Sequence, residues 1–175
     1  MPSKSKRLLL PKRLRSDHNF SQQKFTKHGG KVVIARIEKC IMAVLSTMRD
    51  IMPEKRNITV HIFRAALNMM CLNAKTLQTA SKDDSCRPLL RQTAVYNIIK
   101  KFFPRVGVCA STTKCMTAFF NALTEELIIA TKAEANKSRR SMLTERDIQI
   151  ATLYVENVCV LLKGCNDAAF VPSKN

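Results

Sequence analysis

The chain has 175 residues, of which 46% are hydrophobic, enough for one ordinary domain or two small ones around an aliphatic core. It contains only four Gly, six Pro and no Trp, a composition that favours long helices, so we expect an all-α protein. The formal net charge of +17 favours a polyanionic partner, and because no run of eighteen apolar residues occurs, we expect no membrane partner.

The cysteine pattern and the lack of catalytic motifs exclude several function classes. Seven cysteines form an odd set without a C-x-x-C pair, and Leu8-Leu9-Leu10 is too short for a signal-peptide core, which favours a reduced intracellular compartment. The three His are distant in sequence from most cysteines, so we expect no metal and no cofactor. Because we find no paired carboxylates, nucleophile elbow or phosphate loop, we do not expect an enzyme.

The first 30 residues are predicted to be a basic tail that stays disordered until it binds. Little of this segment can be buried, and its charge is strongly one-sided. Gly29-Gly30 closes the segment, and because glycine disfavours helix, we do not expect a helix to begin before Lys31. The candidate contacts to a polyanion in this tail are Lys4, Lys6, Arg7, Lys12, Arg13 and Arg15.

Two helices are predicted in residues 31–72. Apolar residues recur there in three- and four-residue steps, the pattern of an amphipathic helix, until Pro53 ends the first helix. The basic pair Lys55-Arg56 follows, and a second helix begins near Thr59. Residues 73–88 are polar, and we interpret them as a linker.

Three further helices are predicted in residues 89–165, followed by a tail over residues 166–175. The first helix ends before Pro104, and Gly107 allows the tight turn that follows. The others are a long central helix and a last helix. We expect them to begin at the N-caps Ser111 and Thr144 and to end near Lys137 and Gly164.

The long central helix carries more apolar surface than its neighbours can cover. A helix of roughly 27 residues spans about 40 Å, too long for two short flanking helices to bury its apolar side. We therefore expect an obligate partner to complete the core. The residues assigned to this dimerisation core are Met116, Phe119, Phe120, Leu123, Leu127, Ile128 and Ile148.

Residues 95–155 resemble the core histone 2B, and from Pro104 to Ile148 the two can be laid side by side without a gap. The resemblance implies a histone fold, in which a short helix, a long central helix and a short helix pair with a second histone fold. It is carried by Tyr96, Ile98, Ile99, Lys100, Pro104, Gly107, Met116, Phe119, Asn121, and the run Arg140-Ser141 through Thr144, Arg146, Ile148, Gln149 and Ala151.

The second loop carries the spacing of a structural clamp. Arg140 and Asp147 stand seven residues apart, as in the Arg–Asp pair that ties this loop to the last helix in many histone folds. A surface ion pair that adds little stability is the alternative. Two positions depart from the family. Its first-loop lysine is replaced, so that Lys114 is the nearest, and a second-loop threonine is Met142.

The segment at residues 31–72 has two interpretations. The run Ile58 to Leu67 can be set against Leu143 to Thr152, with a basic pair before each, as if a second, shortened histone fold ended here. Counting back the same 33 residues that separate Ser111 from Thr144 leads from Thr59 to Thr26, where the glycine pair argues against a helix. A helical hairpin packed on the histone core is the other interpretation.

The resemblance implies a DNA-packaging histone of fused or extended form, similar to the fused histone pairs of some large DNA viruses. Its contacts would be to the phosphates of duplex DNA and nearly independent of sequence. Outside the tail, the candidate contacts are Arg139, Arg140 and Ser141 in the second loop, Ser111 and Lys114 at the start of the long helix, and Lys55 and Arg56.

The implied protein partner is another histone fold, of the histone 2A type, with further histones in an octamer. The implied location is the nucleus or chromatin, or a viral factory or virion for a viral protein. The alternative function is a histone-fold subunit of a transcription or kinetochore-type complex that acts mainly through protein contacts. The net charge of +17 and the basic tail favour DNA packaging.

Overall fold

The computed structural model describes residues 24–52, 57–70 and 89–167, and this part of the chain is mostly helical, as the sequence predicts. It contains six helices and one two-stranded sheet. None of these helices is long and apolar enough to span a bilayer. In chain order the elements are β1 (Lys24–Phe25), α1 (Lys27–Ile51), α2 (Val60–Met69), α3 (Gln92–Phe102), α4 (Ala110–Lys137), β2 (Met142–Leu143), α5 (Glu145–Tyr154) and α6 (Glu156–Asp167).

The two halves of the chain repeat one order of elements. In the first half, β1 precedes the long helix α1, and Ile58 in extended conformation precedes the short helix α2. In the second half, Val108 precedes the long helix α4, and β2 precedes the short helix α5. The second half also has α3 before its long helix and α6 after its short one.

The halves pair reciprocally through these extended segments. β1 and β2 are parallel, with Phe25 opposite Leu143, and a parallel bridge joins Ile58 to Val108. Each of these four residues immediately precedes the N-cap of a helix. The segment before each long helix therefore pairs with the segment before the short helix of the other half.

The hydrophobic core lies between the two long helices and includes both halves. Phe63 of α2 packs edge-on against Phe119 of α4, with ring centroids 5.7 Å apart, and both rings are buried. All seven residues assigned to a dimerisation core are buried inside this chain. From the sequence we expect a partner to bury the apolar side of α4. In the described residues, α1 and α2 of the N-terminal half pack on α4 instead.

The prediction that no helix begins before Lys31 was wrong. α1 begins at Lys27, and the hydroxyl of Thr26 accepts a hydrogen bond of 2.9 Å from the backbone N–H of Gly29. Gly29 is buried in this first turn because the chain passes the Leu143 carbonyl, which would lie 2.9 Å from an added Cβ. Residues 24–30 therefore belong to the fold, and the predicted tail boundary is corrected.

The last predicted helix is two helices. α5 ends at Tyr154, Val155 leaves the helical conformation (φ −83°, ψ 96°), and α6 continues through Gly164 to Asp167. The break redirects α6 onto α1, where Val158 and Leu161 are buried. The first residues of the predicted tail at 166–175 therefore belong to α6.

The predicted boundaries of α4 and of the turn before it need smaller corrections. The N-cap of α4 is Cys109 rather than Ser111, and no side-chain hydrogen bond caps this helix. Gly107 has no positive φ. Its small size matters instead, because an added Cβ would collide with the side chain of Asn57 from the other half.

Several core positions of α4 are threonines, which the apolar pattern did not include. Thr117, Thr124 and Thr131 are buried, and each hydroxyl donates to the carbonyl one turn earlier, so burial leaves no donor unpaired. Asn121 has another function. Its side-chain oxygen accepts from the N–H of Leu90 at 2.6 Å, which fixes the chain just before α3 against α4.

The neighbouring glycines of α1 provide a matched test of this packing. We expect Gly29→Ala to destabilise the protein by about 1–3 kcal/mol, because the new methyl group meets the Leu143 carbonyl. Gly30→Ala should stabilise it by about 0.5–1 kcal/mol, because its nearest neighbour, the Phe25 Cβ, is 4.0 Å away and alanine favours helix. Chemical denaturation measures both, and equal effects would contradict the contact.

Candidate nucleic-acid interface

The reciprocal pairing forms two loop pairs. The first loop pair joins residues 24–28 to residues 139–147, and the second joins residues 57–59 to residues 105–112. Each combines the N-terminus of a long helix from one half with the N-terminus of a short helix from the other. Since the first backbone N–H groups of a helix have no intrahelical acceptor, each loop pair presents donors suited to an anion.

The end of α4 places Arg139 in an unusual conformation. The N–H of Arg140 donates to the Ala135 carbonyl at 3.0 Å, and the N–H of Arg139 donates to the Asn136 carbonyl at 2.9 Å. These two hydrogen bonds together form a Schellman motif, whose left-handed position normally holds glycine. Arg139 occupies it with φ 51°, a strained conformation for a side-chain-bearing residue, and remains exposed. The strain makes a functional role for its side chain worth testing.

The predicted clamp between Arg140 and Asp147 is formed. The Arg140 Nη2 lies 2.6 Å from the Asp147 Oδ1, and the Asp147 side chain is fully buried. The second carboxylate oxygen accepts from the backbone N–H of Thr144 at 2.8 Å and from its hydroxyl at 2.7 Å. One buried carboxylate therefore fixes both the loop arginine and Thr144, the residue that follows β2 and caps α5.

The first loop pair is basic at its surface. Lys24, Lys27, Arg139 and Arg146 are exposed, whereas the buried Asp147 is already paired with Arg140. His28 Nε2 lies 2.9 Å from the Glu145 Oε2 and links the first turn of α1 to the first turn of α5. Exposed positive charge around helix N-termini and extended backbone suits a phosphate chain.

The second loop pair is held by backbone contacts between the halves. The N–H of Ile58 donates to the Gly107 carbonyl at 2.8 Å, and the N–H of Cys109 donates to the Ile58 carbonyl at 3.2 Å. The buried hydroxyl of Thr112 also donates to the Ile58 carbonyl. The ammonium of Lys100 donates to the Val106 carbonyl at 2.9 Å and so stabilises the turn before α4.

The predicted contact residues fall at different loop pairs. Arg139, Arg140 and Ser141 lie in the first, whereas Ser111 and Lys114 are exposed at the start of α4 near the second. Arg105, also exposed, lies in the second. The tail residues Lys4, Lys6, Arg7, Lys12, Arg13 and Arg15 and the pair Lys55 and Arg56 lie outside the described residues.

Lys24 and Lys27 were missed because they were placed in the tail. The signal that pointed to them was the count of 33 residues back from Thr59, which ends at Thr26, the N-cap of α1. Arg105 was missed because it was read only as part of a turn. A search for residues that flank the helix N-caps of both halves would have found all three.

The described residues hold no metal-binding cluster, and burial suppresses the reactivity of Cys115. In residues 24–52, 57–70 and 89–167, no three His, Cys, Asp or Glu side chains form a group that could hold a metal ion. Burial raises the pKa of the Cys115 thiol, an effect that nearby Arg64 partly opposes. Because the thiolate is the reactive form, a raised pKa makes this cysteine a weak nucleophile at neutral pH.

No protein-family model matches the chain, and no curated protein matches its sequence.

The clamp can be tested with two Asp→Asn substitutions. We expect Asp147→Asn to destabilise the protein by about 2 kcal/mol, because the Arg140 guanidinium loses a charged partner in a partly buried site. Asp50→Asn removes an aspartate whose 4.0 Å pair with Arg49 is exposed, and it should change stability very little. Thermal unfolding compares the two, and an unchanged midpoint for Asp147→Asn would show that the buried pair adds nothing.

Proposed function

We propose that this protein is a DNA-packaging histone in which two histone folds, one of them shortened, are fused in a single chain. The observation that carries the proposal is the reciprocal loop pairing, with Phe25 opposite Leu143 and Ile58 opposite Val108. In paired histone folds, the first loop of one fold lies beside the second loop of the other. The N-terminal half would here take the place of the separate histone partner expected from the sequence.

The arrangement of the first half supports a shortened histone fold over an unrelated helical hairpin. A hairpin that only covers the core needs no extended segments in register with the other half. Here α1 is preceded by β1 and α2 is preceded by Ile58, and both extended segments pair in parallel with the second half. The order of long helix, loop and short helix is the same in both halves.

Duplex DNA is the polyanion that this surface fits best. Its phosphates would accept hydrogen bonds from the backbone N–H groups at the N-termini of the helices in each loop pair. Arg139, held outward by the end of α4, and Lys24 and Lys27 on the opposite segment would add charge–charge contacts. Contacts of these kinds carry little sequence information, so the binding would be general.

A histone-fold subunit that acts through protein contacts remains the second candidate. Its specific support is the exposure of Leu153 and Tyr154 at the end of α5, at 71% and 70%. Exposed apolar neighbours of this kind suit a protein interface. Packaging is favoured because a net charge of +17 exceeds what a protein-binding subunit requires. The packaging function implies a location in the nucleus or chromatin, or in a viral factory or virion for a viral protein.

Nuclease digestion tests the packaging function directly. The purified full chain, bound to long duplex DNA of mixed sequence, is expected to protect fragments of discrete length, because a fixed pair of loop sites covers a fixed length of duplex. Digestion kinetics and fragment lengths indistinguishable from those of naked DNA would contradict packaging and favour the protein-contact subunit.

Arg139→Gly separates DNA binding from folding. Glycine relieves the left-handed strain, so we expect the free energy of unfolding to rise by about 1 kcal/mol. Removal of the guanidinium should weaken binding to every duplex and reduce the slope of log affinity against log salt by about 1. Arg91→Gly, at the exposed N-cap position of α3, where the side chain makes no capping hydrogen bond, is the matched control for lost charge. An unchanged salt slope for Arg139→Gly would show that Arg139 does not contact DNA phosphates.

A further inference from the structure

Met142 is an exposed apolar side chain inside the basic first loop pair. It is 44% exposed, although it lies in β2 and its neighbour Leu143 is fully buried. The backbone of this segment is engaged, since the N–H of Lys24 donates to the Ser141 carbonyl at 3.4 Å. Met142 is not among the described apolar side chains that pack against the core, so core packing does not require an apolar residue here.

The register of the sheet places Met142 beside a lysine. Lys24 is the direct partner of Met142, and because side chains alternate along a strand, the two side chains project from the same face of the ladder. Both are exposed, whereas Leu143 is buried and its partner Phe25 is half-buried. The outward face of the first loop pair therefore presents one cation and one thioether side by side.

This combination limits the ligand that fits the face. A phosphate oxygen would be recognised by Lys24 and Arg139 but gains nothing from a thioether, which is only a weak hydrogen-bond acceptor. A ligand that satisfies both must carry negative charge next to apolar surface. Duplex DNA has this property in the minor groove, where phosphates flank the sugars and the edges of stacked bases.

We propose that Met142 enters the minor groove at the first loop pair and partly unstacks one base step, with Lys24 and Arg139 on the flanking phosphates. The inference rests on the proposed DNA-binding function and adds a position-specific preference to it. Apolar wedges, methionine among them, kink duplexes in this way. Since pyrimidine–purine steps unstack most easily, binding favours sites with a TA step at this position over stiff A-tracts.

The test compares short duplexes with a central TA step or a central A-tract, each carrying 2-aminopurine beside the centre. We expect the wild-type chain to bind the TA duplex about three- to tenfold more tightly and to raise the 2-aminopurine fluorescence as the step unstacks. Met142→Thr should reduce the ratio of affinities to near one and abolish the fluorescence change. It should leave the salt slope unchanged, because no charge is lost.

Met69→Thr is the matched control and should behave as wild type, since Met69 is 65% exposed at the last residue of α2 and does not belong to the first loop pair. If wild type and Met142→Thr show the same ratio of affinities for the two duplexes, Met142 does not unstack the base step. The proposed packaging function is not affected by that result. If the wild-type chain binds neither duplex, both the proposed packaging function and the proposed insertion of Met142 are contradicted.

Discussion

The structure depends on two backbone hydrogen bonds that cross between the halves of the chain. The N–H of Thr26 donates to the Leu143 carbonyl at 3.1 Å, and the N–H of Cys109 donates to the Ile58 carbonyl at 3.2 Å. In each case the N-cap of a long helix is tied to the residue before the N-cap of a short helix. This exchange holds the two long helices against each other, where α1 and α2 pack on the apolar side of α4, and it brings together the two segments of each loop pair.

Local pattern predicted most of the helices, but the positions set by long-range contacts were missed. The spacing of apolar residues located α1 and α4, and Pro104 marked the end of α3, because these signals act within one helix. The glycine pair was misread, since propensity alone argues against a helix there. Gly29 is needed because the Leu143 carbonyl lies against it, and that carbonyl belongs to the other half. No Gly or Pro marks the break at Val155, after which α6 packs on α1.

The candidate site was predictable where its residues are close in sequence. The seven-residue spacing of Arg140 and Asp147 was enough to predict their ion pair, because both lie around one short loop. The left-handed conformation of Arg139 was not predictable, since this position of a Schellman motif normally holds glycine. Lys24 was missed because it was placed in the tail, and its pairing with Met142 of the other half follows only from the parallel register.

The central claim is that the two halves of one chain pair with each other through the extended segments before their helices. The most direct test is the thermal-unfolding midpoint of the purified chain, without any partner, over a hundredfold range of protein concentration. Pairing within the chain predicts a single cooperative transition whose midpoint does not depend on concentration. A midpoint that rises with concentration, or the absence of a transition, would show that the loops pair between chains or need another protein.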